Sequence, residues 1–158
     1  MKQAKWKIYL IWVALTEAVG ALSGWLTRAG AKRYEAEAVK PPLTPPGAVF
    51  PVVWAVLFAL MGIGAARVYM APASARRTTA LGVFAVQLAV NFLWSILFFN
   101  LHSYGLALLL LVVLWGLILA MIVSFRRVDP LAAWLQVPYL LWVTFASYLN
   151  AGVWYLNR

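Results

Sequence analysis

The stretch Thr78–Phe125, TTALGVFAVQLAVNFLWSILFFNLHSYGLALLLLVVLWGLILAMIVSF, contains no Asp, Glu, Lys or Arg. A helix crosses the hydrocarbon core of a bilayer in roughly 20 apolar residues, so this stretch is too long for one crossing and must fold back. The turn falls at Asn100-Leu101-His102-Ser103-Tyr104-Gly105, the only polar cluster within it. Working outward, charge is also absent from Pro41–Ala66 and Pro130–Asn157, and Ile8–Thr27 is interrupted by Glu17 alone. Five crossings are predicted, at about Trp6–Thr27, Ala48–Tyr69, Thr78–Phe99, Tyr104–Phe125 and Leu131–Leu156. They make an all-α polytopic membrane protein, one domain over residues 1–158.

Composition excludes several other classes. Hydrophobic residues make up 65% of the chain and mean hydropathy is +0.86, well above the roughly 45–50% apolar usage of soluble domains. The net charge of +9 does not indicate nucleic acid, because the basic residues sit at segment ends, where membrane topology puts them. With no cysteine, disulfides, thiolate metal sites and cysteine nucleophiles are excluded. The apolar run after Lys7 is too long for a signal-peptide core and reads as a retained first helix. Lys2, Lys5, Lys7, Arg67, Arg76, Arg77, Arg126 and Arg127 fall on one side of a five-span topology. Arg28, Lys32, Arg33, Lys40 and Arg158 fall on the other. The positive-inside rule therefore predicts a cytoplasmic N-terminus.

One connection is long. Residues 28–47 hold six charged side chains and then Pro41-Pro42-Leu43-Thr44-Pro45-Pro46-Gly47, whose prolines predict a stiff, extended lid or brace. Tryptophans at the helix ends, Trp6, Trp25, Trp134 and Trp154, suit interfacial anchoring. Trp54, Trp94, Trp115 and Trp142 lie deeper, where each indole N–H needs a partner that lipid cannot supply. Gln87, Asn91, Ser95 and Phe98 share one helical face, with Trp94 beside Asn91. Trp54, Phe58 and Met61 form a second stripe, and Trp142, Ala146 and Leu149 a third. By spacing alone, the stripes either close around an aromatic guest or pack on each other, with Asn91 and Gln87 as interhelical hydrogen-bond glue.

The run Lys40-Pro41-Pro42-Leu43-Thr44-Pro45-Pro46-Gly47, continuing into Phe50-Pro51-Val52-Val53-Trp54, resembles the first linker and second helix of the tryptophan-rich sensory protein family. That family is also called the translocator protein or peripheral benzodiazepine receptor family. Gln87-Leu88-Ala89-Val90-Asn91-Phe92-Leu93-Trp94, Phe98-Phe99, and Pro138-Tyr139-Leu140-Leu141-Trp142 with Ala146, Leu149 and Asn150 extend the resemblance over essentially the whole chain. It departs from the family pattern at Arg33-Tyr34-Glu35 and at Leu43, positions where tryptophan is usual.

The resemblance implies a multi-pass protein of a bacterial cell membrane that binds protoporphyrin IX or haem as ligand, with no obligatory cofactor. It extends to other apolar small molecules, including benzodiazepine-type compounds and, in some members, sterols. By motif, Trp54, Phe58, Asn91, Trp94, Ser95, Trp142, Ala146 and Leu149 would line the pocket, with Pro45 in the lid above. Propionates would meet Lys32, Arg33 or Lys40. The family is associated with light-dependent breakdown of bound protoporphyrin, which makes Trp54 and Trp142 the candidate participants. A carrier of porphyrin or other apolar ligands is the alternative reading. The implied homodimer would form through the third span, where Gly82, Ala85 and Ala89 permit close approach; Gly20 and Gly24 are the next candidates. Glu17 is expected to be protonated or hydrogen-bonded to a neighbouring helix. His102 is expected in solvent, and no metal site is expected.

Overall fold

The computed structural model describes residues 4–158; Lys2, counted above among the basic residues, lies outside them. Among the described residues the regular structure is all helical, with no strand. Its elements are α1 (Lys5–Leu26), α2 (Arg28–Glu37), α3 (Val49–Tyr69), α4 (Ala75–Ser95), α5 (Tyr104–Arg126), α6 (Pro130–Trp134) and α7 (Val137–Leu156), with a π-helical turn, Ile96–Asn100, continuing α4. Four helices are long and apolar enough to cross a membrane: α1, α3, α4 with its π turn, and α5. The expected count was five. α7 is 20 residues long and uncharged, but Tyr139, Trp142, Thr144, Ser147 and Asn150 lower its hydropathy.

Two expected boundaries change. The first linker, in which no helix was expected, contains one before its prolines: residues 28–37 form α2. Ala29, Ala31, Lys32, Arg33 and Glu35 are good or adequate helix formers, and Arg33 Nε meets Glu37 Oε2 at 3.1 Å one turn on. The last helix does not run unbroken from Leu131. Asp129 caps α6 by accepting from the Leu131 amide at 3.1 Å. The chain then turns at Leu135-Gln136, before Pro138, which is tolerated only in the first turn of α7.

Close approach holds the bundle together, since lipid gives apolar helices no hydrophobic reason to associate. α1 lies on α3 across Gly62, where a Cβ would come within 2.6 Å of the Val13 Cα. At the same crossing, Thr16 Oγ1 donates to the Phe58 carbonyl at 2.7 Å. Ala107, Leu111, Leu114, Ile118, Met121 and Phe125 alternate at steps of three and four on α5 and are fully buried against its neighbours. At the end of the bundle near Lys5, Arg67 Nε pairs with Asp129 Oδ2 at 2.8 Å, and Gln136 Nε2 donates to the Leu60 carbonyl at 3.0 Å. These contacts tie α3 to the α6–α7 turn.

The opposite end is closed by the linker. Gly30 packs against the Phe99 carbonyl and the Asn100 side chain, so α2 sits directly on the π turn. Tyr148 donates to the Pro42 carbonyl at 2.7 Å. The Asn157 side chain accepts from the Val39 amide at 2.9 Å and donates to its carbonyl at 2.8 Å.

Candidate ligand-binding cavity

A cavity of about 820 Å3 lies between α1, α3, α4 and α7 under α2. α1 gives it mainly small side chains, Gly20, Ala21, Ser23 and Gly24, and so leaves room. α3 supplies Trp54, Ala55 and Phe58, and α4 supplies Asn91, Trp94 and Ser95. The π turn then places both Phe98 and Phe99 on the wall, because its wider winding shifts the helical register. The rings form a continuous surface, with centroids 5.7 Å apart for Trp54–Phe58, 6.4 Å for Trp54–Trp94 and 5.3 Å for Trp94–Phe98.

The polar groups of this wall are largely paired. Trp94 Nε1 donates to Asn150 Oδ1 at 3.0 Å, and Asn150 Nδ2 donates to the Tyr104 carbonyl at 2.9 Å. Asn91 Nδ2 donates to the Tyr139 hydroxyl at 2.6 Å, which donates to Gln87 Oε1 at 2.8 Å. Asn91 thus bonds α4 to α7, as the packing reading expected, and also faces the cavity.

Seven of the nine pocket residues named from the sequence line this cavity: Trp54, Phe58, Asn91, Trp94, Ser95, Ala146 and Leu149. Pro45 and Trp142 lie outside its wall. The buried residues of α7 are Tyr139, Val143, Ala146, Leu149, Asn150 and Val153, and Trp142 falls to one side of them. It meets Phe50 at 5.8 Å, with its indole N–H buried and unpartnered among the described residues. Of the three cations proposed for propionates, Lys32 lines the cavity. Arg33 is engaged by Glu37, and Lys40 Nζ donates to the carbonyls of Glu35 at 2.9 Å and Ala38 at 3.2 Å. Glu17 also lines the wall. His102 is half-buried in its turn, with φ of 50° and its Nδ1 3.0 Å from the Tyr104 hydroxyl. No group of three or more His, Cys, Asp or Glu side chains among the described residues is placed to hold a metal ion.

Tyr34 belongs to this site and was not picked out from the sequence. α2 drives it into Phe98, Phe99 and Tyr104, with centroids at 5.1, 5.6 and 6.4 Å. Burial pushes its phenol up to about 12 from the ordinary 10.0. The fold thus favours neutral Tyr34, and that contribution is complete below pH 10 and is lost as pH rises towards 12. A tyrosine-absorbance titration should show a late-ionising phenol that Tyr34→Phe removes, with α2 loosening over the same window; titration of Tyr34 at the ordinary value would refute its burial.

Residues 12–156 match the TspO/MBR family. The chain belongs to that family. It is 40% identical to the Tryptophan-rich protein TspO of Chlorobaculum tepidum over 147 residues, 92% of each chain. It is 45% identical to Protein CrtK of Rhodobacter capsulatus over 119 residues, 75% of this chain and 74% of that one. It is 35% identical to the Translocator protein of Bos taurus over 141 residues, 88% of this chain and 83% of that protein. As a TspO/MBR protein with four strongly apolar helices, it is a membrane protein, and the aromatic cavity sits within its bundle.

Proposed function

We propose that this TspO/MBR protein is a membrane receptor or sensor for tetrapyrroles, protoporphyrin IX or haem, held in the cavity without an obligatory cofactor. The observation that carries the reading is the continuous Phe58–Trp54–Trp94–Phe98 wall with Lys32 at its mouth. A flat macrocycle stacks on such a wall and buries its apolar faces, and its propionates reach the lysine where water is near. The volume of about 820 Å3 falls within the roughly 300–1,000 Å3 typical of small-molecule sites. Benzodiazepine-type compounds and sterols are smaller apolar occupants of the same space. Any degradation of bound porphyrin would draw on light and the pigment, with Trp54 on the wall and Trp142 against Phe50.

The deciding experiment is a titration of the purified protein with protoporphyrin IX, followed by tryptophan quenching and absorbance in darkness and after illumination. Saturable quenching with a shifted porphyrin spectrum is expected. Absence of saturation would remove the tetrapyrrole reading. At matched occupancy, slower photoconversion in Trp54→Phe than in wild type would assign that indole a part in the photochemistry.

We also propose that α7 is a fifth crossing and, from the balance of Lys and Arg between the two ends, that the N-terminus is in the cytoplasm of a bacterial cell and the linker outside. The support lies in what precedes and follows it: Asp129, before α6, pairs with Arg67 at the Lys5 end, while Asn157, after α7, bonds the linker at the other. At 1.5 Å per residue, its 20 residues cover the roughly 30 Å hydrocarbon core. The cysteine-free background gives a direct check. Arg158→Cys in intact cells should react with an impermeant maleimide, and Lys7→Cys should not; the reverse pattern would invert the orientation.

Association follows the same logic. Gly82, Ala85 and Ala89 are exposed on one face of α4, and nothing lies within 4 Å of a Cβ at Gly82, which leaves a smooth surface for a second copy. Gly20, by contrast, is occupied by the Phe58 ring. In mild detergent the protein should be a dimer, and Ala85→Ile with Ala89→Ile should shift it towards monomer by light scattering. An unchanged mass would move the interface off α4.

A further inference from the structure

The inner end of the cavity carries an acid. α1 runs antiparallel to α3, with Thr16 bonded to the Phe58 carbonyl and Gly20 lying against the Phe58 ring. Glu17, between them in sequence and on the cavity wall, therefore sits at the level of Phe58, away from the lid. Lys32 and Glu35 line the other end, under α2. Glu17 is the one ionisable group on the membrane-embedded part of the wall, and it makes no ion pair among the described residues. A carboxylate at this depth is costly unless something pairs with it.

A protonated amine is the group that fits. It would pair with the carboxylate through a charge-assisted hydrogen bond, and the neighbouring aromatic faces attract the same positive charge. We propose that the cavity accepts a second class of ligand, flat aromatic compounds carrying a basic nitrogen at their inner end, with Glu17 as counter-ion. The proposal rests on the cavity being a ligand site but not on its ligand being a tetrapyrrole. Bulk electrostatics work against it, since a chain with a net charge of +9 repels cations, so any preference for the amine must come from the site.

The test compares 1-pyrenemethylamine with the neutral 1-pyrenemethanol in uncharged detergent, read by energy transfer from tryptophan. Wild type should bind the amine about tenfold more tightly than the alcohol, a difference of roughly 1.4 kcal/mol. In Glu17→Gln that ratio should collapse to within about twofold, while Glu37→Gln, outside the cavity, keeps it. Taking the ratio within one protein cancels any general loosening of the cavity. Glu17→Leu gives the same reading if the amide variant is not recovered folded. No preference in wild type, or the same preference without the carboxyl, overturns the proposal. A protoporphyrin titration run alongside separates the two claims: failure there with the amine preference intact removes only the tetrapyrrole reading.

Discussion

Ala146→Phe will bind protoporphyrin IX at least about tenfold more weakly than wild type, roughly 1.4 kcal/mol, with little loss of thermal stability. Ala146 is buried on α7 and lines the cavity, so a ring there occupies the volume the ligand needs and breaks no hydrogen bond. Asn91→Leu should weaken binding as well, but through a different balance. It strips the Tyr139 hydroxyl of the Asn91 Nδ2 donor at 2.6 Å while the bond to Gln87 Oε1 remains, and losing one such hydrogen bond costs about 0.5–1.5 kcal/mol. Fluorescence titration together with a melting curve separates the cases: Ala146→Phe moves affinity alone, Asn91→Leu moves both. Unchanged affinity in a folded Ala146→Phe protein would take the cavity out of ligand binding.

The largest effect on stability is expected at Gly62. Its built Cβ lies 2.6 Å from the Val13 Cα, 2.7 Å from Thr16 Oγ1 and 2.9 Å from the Trp12 carbonyl oxygen, and two of these three are backbone atoms. Gly62→Val must push α1 off α3 and break the Thr16–Phe58 bond, at a cost of about 3 kcal/mol. For a chain of this size that lowers Tm by roughly 6–12 °C. Gly116→Val is the control, since nothing lies within 4 Å of a Cβ there; it should move Tm by no more than a degree or two. Equal melting of the two variants would mean that the α1–α3 crossing is not close-packed in membrane or detergent.

Much of the architecture is legible in where charge is missing, because burying a charge in lipid is expensive enough to dominate every local preference. The same reasoning hides α2. Its charges mark it as outside the membrane, and the neighbouring prolines suggest extension, whereas the helix forms from Ala, Lys, Arg and Glu and is seated by Gly30 and Tyr34. α7 is ambiguous for a related reason: a hydropathy scale counts the polar atoms of Tyr139 and Asn150 as water-seeking, although both are bonded inside the bundle. The cavity wall was readable on α3 and α4, where Trp54 and Phe58, or Asn91 and Ser95, recur at one helical turn. On α7 the stripe of Trp142, Ala146 and Leu149 reaches the cavity at Ala146 and Leu149, while Trp142 lies beyond its wall. Asn150, next to Leu149, lines the cavity too, and its bonds to Trp94 and to the Tyr104 carbonyl fix α7 there. The π turn left no sequence signal that we identify, and with it the joint placement of Phe98 and Phe99 was hidden.

The clasp between Asn157 and Val39 spans 118 positions of sequence. Contacts so far apart close late, because the entropy of the intervening loop must first be spent. During synthesis, then, α1 and α3 can already be packed across Gly62 while the linker above them has nothing to hold it. α2 settles on the π turn once α4 is made, but the aromatic chamber lacks its α7 wall until α7 arrives. A pigment present in the membrane at that moment would meet an open site, and α7 would be built around it.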